Sequence, residues 1–324
     1  KQVGRYSATT TALLYLDGVV YLPICEEMRK RLDAFEVDGI EDGGMIEYLT
    51  RKKKEGRFPV YQTTERPDRA AQAILEGRVV LLTDNSPEAL IFPATLNSLF
   101  QTADDYYRNE RIVTFLRLIR YVAAFLALAL PGLYVAAATF HPQLLPGNLI
   151  RSMAEARSGV PFPTAAEVLL MELSFELLRE AGLRMPGPAG NTIGIVGGLI
   201  VGQAAVSANL VSPITVTVAA LTALGSFSIP NEELSEVFRL WKYGILLLGS
   251  CFGILGVMLG CFLLLMLMAE QESYGIPWLY PYVGGNLNER ADEKDSMFLA
   301  AARKRKRRPI FAKWGNRIRF RRKS

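Results

Sequence analysis

The sequence predicts an α/β soluble domain followed by an all-α polytopic membrane domain, with about four transmembrane helices plus amphipathic or re-entrant helices. Three observations carry this. Residues 1–110 alternate short β-rich runs with amphipathic helical ones. Four long apolar stretches follow with almost no charge in their interiors: Ile112–Phe140, Asn191–Leu210, Pro213–Ile229 and Leu240–Met268. The final segment, 271–324, is polar and basic and reads as a C-terminal tail, disordered in part.

In the head, Thr9–Tyr21 has the β-rich, partly alternating pattern of a strand. Ile24, Met28, Leu32 and Phe35 then fall on one helical face, predicting a helix over 22–35. An extended piece near Val37–Ile40 precedes a helix over 44–53, and a third helix runs from Arg66 to Leu75, closed by Gly77. Arg78–Thr83 and Ala89–Pro93 read as strands joined by the turn residues Asp84-Asn85-Ser86-Pro87. The chain opens with Lys1 inside a domain already under way, which reads as a fragment lacking its true N-terminus.

Nothing in this head looks catalytic. It holds no G-x-G-x-x-G, no phosphate loop and no Ser/His/Asp set, so the chain reads as a non-enzyme. The cysteines Cys25, Cys251 and Cys261 form no CxxC pair, and His141 stands alone beside Pro142, so no metal or other cofactor is expected. The basic run Arg51–Lys54 suits either anionic headgroups or a solvated helix end.

The formal net charge of +5 is distributed very unevenly. Arg108, Arg111, Arg117 and Arg120 crowd the start of the first apolar stretch, and a basic run from Lys294 to the end follows the last. Because Lys and Arg concentrate on the cytoplasmic side, both termini are expected there, which requires an even number of crossings. The acidic loop Asn231–Glu236 is then expected outside.

Between the first two spans, Leu149–Arg157 and Ala165–Leu183 read as amphipathic helices, broken at Val160–Pro163. Glu167, Glu172 and Glu176 face a water-filled vestibule and attract cations, or pair with Arg151, Arg157, Arg179 or Arg184, or simply sit among headgroups. The second span carries Gly194, Gly198 and Gly202 four apart, the small-residue spacing that lets helices approach closely in lipid. Gln203, Ser207 and Asn209 follow as candidate pore-lining residues, with helix packing as the competing reading. The last span repeats the small spacing at Gly249, Gly253, Gly256 and Gly260, and its length implies tilt or a kink.

Several motifs then coincide: TERP at 64–67, LEGRV at 75–79, SGVPFP at 158–163, LMEL at 170–173, FELLREAGLRMP at 175–186, VGQAA at 201–205 and VSPI at 211–214. In this order they closely resemble the A-type subunits of the GerA spore germination receptors, from about Thr9 to Pro281. The family pattern includes a longer N-terminal soluble region than is present here. The resemblance implies an integral protein of the spore inner membrane that works with a transporter-like B-type subunit, which senses nutrients, and a lipoprotein C-type subunit. It further implies a homo-oligomer supplying an ion-conducting path that starts germination. Membrane lipid is the expected surrounding, and no nucleic-acid partner is expected. A related paralogue group accompanying dipicolinate-release proteins shares these motifs, and a non-conducting scaffold remains a competing class.

Overall fold

The computed structural model describes residues 1–52, 55–185, 188–283, 294–313, 315 and 317–318, with 188–196, 199 and 302 described by backbone alone. The chain divides into two units, one of residues 1–121, 230–234 and 266–324, the other of 122–229 and 235–265.

The first unit is built on a five-stranded sheet in the order β1-β2-β4-β5-β3: β1 (Gln2–Val3), β2 (Thr9–Leu14), β3 (Gln62–Thr64), β4 (Val79–Thr83) and β5 (Ala89–Phe92). Every neighbouring pair is antiparallel. This corrects the alternating α/β expectation. The helix α3 (Pro67–Leu75) does connect β3 to β4, but β5 lies between them, so the two strands never pair. The five residues between β4 and β5 close a hairpin with Asn85 at φ 68°, a left-handed conformation that asparagine tolerates. The predicted strand over 9–21 stops at Leu14, and β1 and β3 carried no readable pattern because they span two and three residues.

Period-two alternation divides the sheet's side chains between two faces. Val79, Leu81, Leu90 and Phe92 face a core shared with Ile24, Met28 and Leu32 of α1 (Leu22–Asp33) and Ile46 of α2 (Gly43–Thr50). Val80, Ala89 and Ile91 pack on Ala73 of α3.

The segment set apart as a polar tail contributes to that same core. Tyr274 stacks on Phe92 at 4.9 Å, and its hydroxyl makes a hydrogen bond with Tyr61. Trp278, fully buried, stacks on Phe58 at 4.9 Å and donates from Nε1 to the Pro59 carbonyl at 2.7 Å. Phe311 is buried too, and Gly77 (φ +91°) lets the chain at Ala312 pass so closely that a Cβ there would stand 2.8 Å from the Ala312 Cα. Arg319, Arg321, Arg322 and Lys323, with Lys53 and Lys54, lie outside the described residues.

The second unit is helical. Its elements are α5 (Glu110–Thr139), which begins in the first unit, then α6 (Gly147–Ala156), α7 (Thr164–Arg184), α8 (Pro188–Ser207), α9 (Pro213–Phe227), α10 (Glu232–Phe252) and α11 (Ile254–Glu270). Among the described residues α5 alone is long and apolar enough to cross a membrane by length and composition; α9 and α11 are shorter apolar helices. Glycines set the spacing of this unit. A Cβ at Gly225 of α9 would stand 2.6 Å from the Ala123 carbonyl oxygen of α5, and one at Gly132 of α5 would stand 3.1 Å from the Ile245 carbonyl oxygen of α10.

The stretch Leu240–Met268, read as one long tilted span, is two helices. Gly253 adopts φ +65°, a left-handed conformation that glycine takes up without strain, and the chain reverses there. Gly256 then packs on the Leu248 carbonyl, and a Cβ at Gly260 would stand 2.9 Å from Ile245 Cγ1. Gly249, where a Cβ would be 2.9 Å from Val257, completes the hairpin's seam.

Trp278→Ala is expected to lower the stability of the first unit by about 3–5 kcal/mol, the range for truncating a large core aromatic. Tyr48→Ala, at a residue 78% exposed, should leave it within about 0.5 kcal/mol. Urea denaturation followed by circular dichroism reads both.

Candidate functional site

The charges of α7 are enclosed rather than solvated. Glu167 is fully buried. Its Oε1 accepts from Arg157 Nε at 3.1 Å, and its Oε2 accepts from the Ser212 amide at 2.9 Å and Thr215 Oγ1 at 3.1 Å. Ser212 caps α9, its hydroxyl accepting from the Thr215 amide at 3.3 Å. The carboxylate therefore sits at the N-terminus of α9, where unpaired amides and the helix dipole favour negative charge.

One and a half turns along α7, Glu172 accepts from Lys242 Nζ of α10 at 2.6 Å, with side chains 2% and 5% exposed. A further turn on, Glu176 accepts from Arg239 Nη1 at 2.7 Å. Arg239 also reaches Glu236 at 3.5 Å. Exposure rises along the row, from a sealed Glu167 to a Glu176 side chain 38% exposed. The pairing of Glu167 with Arg157 is the arginine-pairing reading among those the sequence left open. Glu172 and Glu176 select cations of α10 that sequence reasoning missed. The signal was there: Arg239 and Lys242, three residues apart, and Glu172 and Glu176, four apart, each put two charges of one sign on one helix face.

Burial of the first two carboxylates removes Glu167 and Glu172 from any open vestibule; Glu176 alone of the three keeps substantial contact with solvent.

The glycines of α8 face inward within this chain. Gly202 is buried, and a Cβ there would lie 3.4 Å from Val216 of α9; one at Gly198 would lie 3.7 Å from Phe175 of α7. The surroundings of Gly194 lie outside the described residues. Gln203 and Ser207, one turn apart on α8, are exposed on this chain. Asn209 does not continue their stripe. It lies beyond the helix end at φ 54°, against Gly159, where it helps close the helix. Gly253 serves the α10–α11 turn, beside His141, rather than a packing stripe.

A second buried charge cluster holds the base of α5 in the first unit. Asp105, 2% exposed, accepts from Arg117 Nε at 3.0 Å and Arg120 Nη1 at 2.8 Å. Burial would raise this carboxyl's pKa, but the hydrogen bond from Arg120 and the two guanidinium charges hold it below the usual range. Asp295 adds a second carboxylate to Arg117 at 2.9 Å. Two of the four arginines near the start of α5 are therefore structural, and Asp295 carried no sequence signal at all.

One helix of membrane-crossing length among the described residues, and a helical unit that pairs the α7 carboxylates Glu167, Glu172 and Glu176 internally, define the class: a multi-helix protein with a sheet-based head. Comparison with known proteins makes it specific. The family model for the Bacillus/Clostridium GerA spore germination protein matches residues 1–311. The uncharacterized membrane protein YfkQ of Bacillus subtilis (strain 168) is 39% identical over 300 residues, covering 93% of this chain and 58% of the relative. Spore germination protein A1 of the same organism is 38% identical over 279 residues, 86% of this chain and 58% of the relative. Spore germination protein GerQA of Bacillus cereus is 36% identical over 319 residues, 98% of this chain and 63% of the relative. The chain thus spans about six-tenths of the length of these relatives. No solved structure matches it. The chain belongs to the GerA family of spore germination proteins.

Removing one partner of a buried ion pair leaves an uncompensated charge. Lys242→Met is expected to destabilise the helical unit by about 3–5 kcal/mol, whereas Glu172→Met with Lys242→Met together should be near neutral. A double-mutant cycle of thermal unfolding in detergent micelles measures the difference.

Proposed function

We propose that the chain is a membrane subunit of a spore germinant receptor, which self-associates into an ion-conducting channel and starts germination in response to nutrients. The observation that carries this is the placement of Gln203 and Ser207: exposed on a mostly apolar helix, on a surface its own chain leaves uncovered. Within lipid, such polar groups face protein or an aqueous path. A ring of copies around a water-filled axis meets that requirement, with Gln203 and Ser207 lining the path and Glu176 toward its mouth. The glycines Gly198 and Gly202, engaged by α7 and α9 of the same chain, are then intramolecular spacers rather than the self-association seam.

The membrane domain in this reading is polytopic, with α5 crossing first and α10–α11 forming an out-and-back pair. Residues 1–121 and 266–324 belong to one unit, so both ends lie on one side, and the arginines at the start of α5 make that side cytoplasmic. For the acidic loop this reading takes the side opposite to the sequence expectation: residues 230–234 group with the head unit, and Asn231 and Glu232 line a cavity with Gln62 and Arg69, which supports a cytoplasmic loop. The spore inner membrane is the location, and B-type transporter-like and C-type lipoprotein subunits are the partners, in keeping with relatives named as spore germination proteins.

Single cysteines at Asp84, Glu232 and Gln143, in a background lacking Cys25, Cys251 and Cys261, test the topology with an impermeant thiol reagent on intact cells. Gln143→Cys should label and the other two should be protected. Labelling at 232 with protection at 84 would return the acidic loop to the outside.

The conduction reading is tested on spores carrying full-length versions of the variants. Gln203→Leu and Ser207→Leu should slow potassium release during germination, and Gln203→Ala with Ser207→Ala should make dormant spores leak. Normal release from all of them, at immunoblot levels equal to wild type, would put the path elsewhere.

A further inference from the structure

The first unit contains a cavity of 530 Å3 walled by Gln62, Thr64, Arg69, Gln101, Thr102 and Asn231, with Glu88 and Glu232 also lining it. It carries charges of both signs that no ion pair among the described residues engages: Arg69, and the carboxylates Glu88 and Glu232. Arg69 is 3% exposed, yet among the described residues no carboxylate pairs with it. Only its Nη2 finds an acceptor, Gln62 Oε1 at 3.2 Å, while Nε and Nη1 make no hydrogen bond. A buried guanidinium normally has its five donors matched, because an unmatched charge out of water is strongly unfavourable. Arg66, the other arginine of the wall, differs: it is tied to Asp68 and Asp104, both at 2.9 Å.

Glu88 and Glu232 are exposed carboxylates, and no ion pair reaches either among the described residues. Partial desolvation, and then the nearby carboxylates of Asp42, Glu65 and Glu232, hold the Glu88 carboxyl above its usual range. A simple anion would satisfy Arg69 but meet these carboxylates. A simple cation would satisfy the carboxylates and leave Arg69 unmatched.

We infer that this cavity binds a small zwitterion, its carboxylate or phosphate held by Arg69 and its ammonium by Glu88 and Glu232. Planar guanidinium donors suit either oxyanion in a two-pronged contact. The wall threonines and glutamines supply further hydrogen bonds. Two sources offer this chemistry: a free amino acid, or the phosphoethanolamine headgroup of a lipid, since the Asn231–Glu233 wall lies in the connection between α9 and α10. The inference stands on the cavity alone and does not depend on ion conduction.

The test uses the full-length protein in detergent micelles, with thermal unfolding and calorimetric titration as readouts. Glycine or O-phosphoethanolamine should raise the unfolding temperature saturably; acetate and ethylammonium at equal concentration should not. Arg69→Gln should weaken zwitterion binding by at least about tenfold. Because a buried arginine variant can fail to fold, the surface pair Glu88→Gln with Glu232→Gln provides a second arm and should weaken it to a similar degree. In nanodiscs, phosphatidylethanolamine should compete with O-phosphoethanolamine if the headgroup is the ligand; glycine binding unaffected by that lipid identifies the free solute. No saturable response to either zwitterion, an equal response to acetate, or full binding by the carboxamide pair would overturn the inference and leave a cavity filled by water only.

Discussion

The return of the chain to the head, through the burial of Tyr274 and Trp278, is the constraint on which the other arrangements depend. The head is not a closed N-terminal domain with a tail far away in sequence. Its core needs aromatic side chains made more than 180 residues after the last strand of the five-stranded sheet, and Trp278 is the largest fully buried side chain described. The helices between positions 121 and 266 are therefore a long insertion with both ends anchored in one unit. That anchoring also explains why the basic segment is not simply solvated. Arg305 reaches Asp295 at 3.4 Å, and Arg308 donates from Nε to the Leu75 carbonyl at 2.8 Å.

Two kinds of contact hold the helical unit, and they do different things. The glycine contacts bring backbones together so that dispersion can act over a large area; they are cheap and geometrically permissive. The α7 carboxylates are the reverse. Desolvating Glu172 and Lys242 opposes their mutual attraction, so such a pair adds little to stability over an apolar substitute while making one register far better than any other. Together they give a bundle whose spacing is set by small residues and whose alignment is set by charge.

The elements that could be read from sequence were those long enough to show a period. The helix over 22–33 announced itself through Ile24, Met28 and Leu32, and the hairpin through Asp84–Pro87. What stayed hidden has physical reasons. A two-residue strand has no period, so β1 was invisible. The antiparallel order depends on β5 inserting between β3 and β4, a choice made by tertiary packing and not by local pattern. In Leu240–Met268 uniform apolarity masked a reversal at one glycine, because a turn between two helices of similar character leaves hydropathy unchanged. Among site residues, the glutamates of α7 were identifiable as charges out of place, but their partners required knowing which helix lies beside which. Gln203 and Ser207 stood out as polar residues in an apolar run; that they face away from the glycines needed coordinates.

The ion pair between Glu172 and Lys242 joins residues 70 positions apart. On a ribosome-bound chain the carboxylate therefore emerges well before its counter-charge, and α8 and α9 are synthesised in the interval. During that interval α7 carries a charge that its final setting cannot yet neutralise. Its buried setting is complete only when α10 supplies Lys242, so the register of α7 depends on a helix made after both α8 and α9.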